Sequence, residues 1–118
     1  MFSLIPRPLH AVLDYGYGLA AFVAPKAFCF DGDDAASWTS AVVGGAALVS
    51  GMVTKHEGGL VKKVPFNTHL KLDFVSALLT AATPWLFGFA ANKRARNAIV
   101  GFALLELVVA ALSKPDPQ

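Results

Sequence analysis

Two histidines each stand four residues ahead of an aspartate, at the head of otherwise apolar runs: His10 and Asp14 in "LHAVLD", His69 and Asp73 in "THLKLD". On a helix that spacing puts both side chains on one face. An imidazole and a carboxylate so placed can hydrogen-bond, pass a proton, or orient each other around a bound ion. Glu106 is the one ionisable residue inside a later apolar stretch, "NAIVGFALLELVVAALS". With Pro6 and Pro65 marking an interface, the helical rise sets each histidine about 6 Å deep and each aspartate about 12 Å, with Glu106 about 10 Å from the end near Ser113. His10, Asp14, His69, Asp73 and Glu106 are thus expected to form one buried polar layer, on the side holding both termini.

Ionisable groups inside a membrane span are costly and usually face the bundle interior or each other. The expected role of the layer is structural. Imidazole and carboxylate satisfy each other, with the hydroxyls of Tyr15, Ser50 or Thr54 at hand, and lock the helices in register. The alternative is a cofactor- or ion-handling layer. Two histidines on different helices at one level could ligate haem b, with the aspartates orienting the rings. The same groups could hold a metal or relay protons. Their spacing is not the Glu-x-x-His of bundle-core di-metal sites, so no metal or cofactor ligands are assigned. No hydroxyl stands in a context that marks a nucleophile, and no enzyme activity is expected.

The elements that must position these groups are helices without a wet face. The 118 residues are 55% hydrophobic and only 15% charged, with a mean hydropathy of +0.54, whereas soluble domains carry about 25% charged residues. Apolar segments cover about Leu9–Ala24, Trp38–Val53, Leu70–Thr83 (or on to Ala91) and Ala98–Leu112. "SWTSAVVGGAALVSGMV" has no charge on any face, a pattern a surface helix in water does not show. The uncharged run Phe74–Ala91 is the cleanest membrane signal, since about 18 such residues suffice to span. A net charge of +2 without a basic, aromatic-laced stripe speaks against nucleic acid as a partner. Arg7 between two prolines, followed by Asp14, speaks against a cleaved signal.

The two halves repeat. A shift of 59 residues lays Pro6 on Pro65, His10 on His69, Asp14 on Asp73, Pro25 on Pro84, Phe28 on Phe87 and Phe30 on Phe89. A loop shorter by two residues then lays Val43-Gly44 on Val100-Gly101. The expected fold is all-α: a four-helix transmembrane bundle of two tandem helical hairpin repeats, units 6–56 and 65–113, in a single membrane domain. Hairpins crossing in the same sense are related by a pseudo-two-fold along the membrane normal. Pro25 is expected to end the first helix, with Pro84 at the same level of the third and Trp85 at the interface. "TKHEGGLVKKVP" reads as a polar connector, flexible at Gly58-Gly59. Ser40, Gly44, Ala47 and Gly51 offer a small-residue packing face on the second helix.

His69, Asp73 and "TPWLFGF", with His10, Asp14 and "APKAFCF", resemble the SPW-repeat family of small bacterial membrane proteins. The likeness runs from about Pro6 to Leu112, with Thr83-Pro84-Trp85 in place of Ser-Pro-Trp and Ala24-Pro25-Lys26 lacking the tryptophan. It implies a two-hairpin fold in the bacterial inner (cytoplasmic) membrane and brings no activity. Arg7, Lys55, Lys62, Lys63 and Lys114 on one side, against Lys26, Lys93, Arg94 and Arg96 on the other, favour cytoplasmic termini by the positive-inside rule. The expected partners are the lipid bilayer and either further copies of the chain or a larger membrane complex.

Overall fold

The computed structural model describes residues 3–117. Four helices form: α1 (Arg7–Ala27), α2 (Asp34–Val53), α3 (Phe66–Leu86) and α4 (Lys93–Leu112). Every bound of α1 and α2 recurs 59 residues later in α3 and α4. At 20 or 21 residues each, the helices match the roughly 30 Å hydrocarbon core of a bilayer in length.

The repeat is more regular than the identities suggest. The offset of 59 holds through α2 and α4, so Gly44 corresponds to Ala103 and not to Gly101. What recurs there is size. Gly44 and Gly51 in α2, and Ala103 and Ala110 in α4, are all buried. A Cβ on Gly44 would lie 2.6 Å from the Gly18 carbonyl oxygen and 2.7 Å from the Phe22 nitrogen. Here α1 and α2 meet backbone to backbone, which only glycine permits.

The two prolines do not end their helices. Pro25 and Pro84 lie inside α1 and α3, which continue to Ala27 and Leu86. A proline this close to the end forfeits one hydrogen bond and leaves no further turn to distort. In α3 the loss is made good: the Thr83 hydroxyl donates to the Thr80 carbonyl at 2.7 Å, the acceptor Pro84 cannot serve. One residue past each cap the chain turns left-handed, at Cys29 (φ 58°) and Gly88 (φ 76°). The amides of Phe30 and Phe89 then reach back to the proline carbonyls at 2.8 Å, a helix-ending bond of the Schellman type. This stop divides the uncharged run Phe74–Ala91, which is therefore not one span. Among the described residues, the helices long and apolar enough by composition to cross a membrane are α2 and α4.

Packing is inverted relative to a soluble bundle. Alanines dominate the core, among them Ala11, Ala21, Ala24, Ala36, Ala77, Ala95 and Ala103, while Leu19, Phe22, Val42, Leu78, Leu79 and Leu104 point outward. Lipid tails are as apolar as leucine, so close contact between small residues, not expulsion of large ones, holds such helices together. Trp38 and Trp85 are exposed near the end bearing the hairpin turns, at the level of an aromatic belt.

Each hairpin is closely packed within itself, and the two are pinned to each other at both ends. At the turn end, Phe30 and Phe89 pack with Ala24, Ala36, Ala95 and Ile99. There Asp33 and Asn92 cap α2 and α4 by accepting from Ala36 and Ala95, and the Asn92 amide donates to Asp33 at 3.0 Å. At the other end the chain exchanges partners: Ile5 bridges to Ser113, and Thr54 to Val64. Each unit's leading segment thus lies against the other unit's last residue. Arg7 pairs with both Glu57 (2.9 Å) and Asp116 (3.1 Å), which occupy equivalent places after α2 and α4. The connector is not the flexible link its glycines suggest. Tyr15 donates to the Gly58 carbonyl at 2.6 Å, and Leu60, Val61 and Lys63 return hydrogen bonds to the end of α2.

Candidate functional site

Each histidine occupies the fourth position of its helix, so α1 and α3 deliver His10 and His69 to the same level, and the aspartates follow one turn on. His10 Nε2 lies 3.0 Å from Asp14 and 3.3 Å from Asp73; His69 Nε2 lies 3.0 Å from Asp14 and 3.2 Å from Asp73. Four of the five expected residues therefore meet on the pseudo-two-fold, with one ligand atom from each within 4.8 Å of all the others. The rings are 0% and 1% exposed, and Phe66 closes the floor, edge-on to His10 and stacked on His69.

The other ring nitrogens reach across the hairpins. His10 Nδ1 is 2.6 Å from Ser113 Oγ on the fourth helix's cap, and His69 Nδ1 is 2.7 Å from Thr54 Oγ1 on the second helix's cap. Both hydroxyls already donate to a carbonyl one turn back, Val109 and Ser50, at 2.6 Å. With the hydroxyl hydrogen used, the oxygen accepts, and each Nδ1 carries the proton; the His69 Nδ1 also has the Ser50 hydroxyl at 3.0 Å. Ser113, His10 and Asp14 thus stand in line, but the serine is a buried acceptor with its hydrogen engaged, the opposite of an activated nucleophile.

Glu106 is half-buried and stands apart from the four. It lines a cavity of about 330 Å³ that also contacts Asp14, Tyr17, His69 and Asp73. Glu106 Oε1 and the Tyr17 hydroxyl are buried without a hydrogen-bond partner. One residue was missed from sequence. His56, in the connector, is 2% exposed, and its Nε2 lies 3.4 Å from Asp14. It has no counterpart in the second unit, where Pro115 takes the place, so the repeat gives no signal for it. Being one of only three histidines was the available clue.

The arrangement can do two things chemically: join the hairpins through imidazole–carboxylate contacts, or surround one small cation. It does not suit a haem. An iron between the two Nε2 atoms needs a flat macrocycle there, where the Asp14 and Asp73 oxygens lie within 3.3 Å of both rings.

The SPW repeat domain matches residues 8–114, nearly the whole described chain. The chain belongs to the SPW repeat family. No curated protein and no solved structure matches it. Membership and two apolar helices make this a small membrane protein. In this SPW repeat protein the Thr83-Pro84-Trp85 tripeptide has a local logic. Thr83 serves the carbonyl Pro84 frees, and exposed Trp85 stands at the helix end. A serine hydroxyl at the same position would reach the same carbonyl.

Proposed function

We propose that the protein is a structural or accessory membrane protein, without enzymatic activity, whose working part is a crossed clasp between two hairpins. The observation that carries this reading is the exchange of partners at the cluster. Each histidine is held through Nδ1 by the other hairpin's terminal hydroxyl, and both aspartates contact both rings. Burying such groups is costly, and the benefit falls at the end where the two hairpins already exchange backbone partners, Ile5 with Ser113 and Thr54 with Val64. In this reading α1 and α3, of spanning length but carrying the histidine–aspartate pairs, cross the bacterial cytoplasmic membrane alongside the more apolar α2 and α4, with both termini and the clasp on the cytoplasmic side. The outward leucines, valines and phenylalanines meet lipid, a second copy, or a larger membrane complex.

The test is whether the clasp joins the halves. A protease site placed after Lys62, in the exposed part of the connector, separates the hairpins covalently. In detergent the nicked wild-type halves are expected to stay together, and the Asp14→Asn/Asp73→Asn halves to come apart. Halves that co-migrate regardless of those substitutions overturn the reading. Native mass spectrometry of the intact protein from bacterial membranes decides between a self-assembly and a complex.

A further inference from the structure

We propose that the cluster closes around one divalent transition-metal ion of the zinc class, bound by His10, Asp14, His69 and Asp73. The ion would lie inside the clasp, so this inference rests on that reading of the site.

Bonds of about 2.0 Å to a tetrahedral ion set neighbouring ligand atoms about 3.3 Å apart. The four histidine–aspartate separations are 3.0, 3.3, 3.0 and 3.2 Å, with Asp14 facing His10 through Oδ1 and His69 through Oδ2 while Asp73 faces both through Oδ2. One ligand atom from each of the four lies within 4.8 Å of the others, so a small inward turn of the Asp14 carboxylate brings the set to the edge length of such a site. Imidazole–carboxylate pairing alone explains the arrangement less well. Despite these short distances both Nε2 atoms and Asp14 Oδ2 lack a hydrogen bond of acceptable direction. With each Nδ1 protonated, both Nε2 atoms turn lone pairs toward carboxylate oxygens, an arrangement that a cation between them satisfies and a proton-free pairing does not.

The surroundings fit as well. A metal-bound histidine characteristically donates its second N–H to a fixed acceptor, and Ser113 and Thr54 present oxygens whose own hydrogens are already engaged. Two carboxylates cancel the double charge of the ion, so the loaded site is neutral in a low-dielectric layer. Two nitrogens and two oxygens in a tetrahedron suit zinc over magnesium or calcium, which prefer six or more oxygens. The cavity that touches Asp14, His69 and Asp73 gives the ion or a water a lateral approach. His56, with both ring nitrogens unpartnered beside Asp14, stands ready as a spare donor.

Detergent-purified protein, stripped with a chelator and titrated with Zn²⁺, tests this directly. Calorimetry should show about one ion per chain, as for a single closed site. Substitution with Co²⁺ should give the intense visible bands of tetrahedral cobalt. His10→Gln/His69→Gln should abolish both. Since that variant can fail to fold, Thr54→Val/Ser113→Ala serves as the second: it keeps every ligand and should weaken Zn²⁺ about 10–100-fold. Folded wild-type protein that takes up neither Zn²⁺ nor Co²⁺ overturns the metal. If it binds nothing while Asp14→Asn/Asp73→Asn still frees the nicked halves, the clasp stands and the metal falls. If it binds Zn²⁺ while the halves never separate, the metal stands and the clasp falls.

Discussion

Asp14 and Asp73 are repeat-equivalent, yet their removal should not cost the same. Asp73 contacts two rings, at 3.3 and 3.2 Å; Asp14 contacts three, at 3.0, 3.0 and 3.4 Å, the last being His56. Removing one partner of a buried charged pair costs about 3–5 kcal/mol, which sets the scale for Asp73→Asn. Asp14→Asn also takes the carboxylate away from His56, a 3.4 Å contact that is not a hydrogen bond and so adds less than the roughly 1 kcal/mol of an ordinary one. Thermal unfolding in detergent micelles, followed by circular dichroism, should therefore rank wild type above Asp73→Asn and Asp73→Asn above Asp14→Asn. In a His56→Gln background the gap between the two variants should close. Equal losses in the wild-type background, or a gap that survives His56→Gln, would refute the asymmetry and with it the assignment of His56 to the cluster.

Gly44→Ala forces a methyl into the Gly18 and Phe22 backbone. It should destabilise by about 1–3 kcal/mol as an overpacked contact, while Gly45→Ala, with nothing within 4 Å of its Cβ, should be tolerated in the same melt. Thr83→Val strands the Thr80 carbonyl within α3 and should cost about 0.5–1.5 kcal/mol, as for an ordinary intramolecular hydrogen bond, with Thr83→Ser restoring it. Asn92→Ala removes both a cap and the bond to Asp33, so a loss of about 1–2 kcal/mol is expected. At the surface, the hydrogen bond from the Arg7 guanidinium holds the Glu57 carboxyl below its ordinary value. A depressed carboxyl contributes stability above its unfolded value and loses it as pH falls through the lower folded one. Acid melts should show a small loss in that window, absent from Glu57→Gln.

The hairpins and the polar layer were legible because they rest on period and placement. A His-x3-Asp pair at a helix start must share a face, and two copies at one offset must share a level. The register of the second helices was not legible from identities, because Gly44 and Ala103 are alike only in being small enough for a tight crossing. Likewise Phe74–Ala91 reads as one span until the left-handed Gly88 ends the helix. The crossing of hydroxyls between hairpins lay beyond sequence reasoning. Thr54 was a possible partner without an address, and Ser113 merely marked an end. His56 was hidden by its glycines: "HEGG" reads as slack chain, whereas at Gly59 a Cβ would collide with the Thr54 carbonyl oxygen.

The exchange at Ile5–Ser113 and Thr54–Val64 has the form of an interface between two copies of one hairpin. Two separate copies of a single hairpin would pair through the same surfaces, each lending its terminal hydroxyl to the other's histidine, as in an isologous dimer. The present chain has the geometry of such a dimer joined head to tail, with halves that are not identical: one carries His56, the other Glu106. A circular permutant, opened between Leu60 and Lys62 and rejoined from the 113–117 segment to Ile5, should fold to the same bundle.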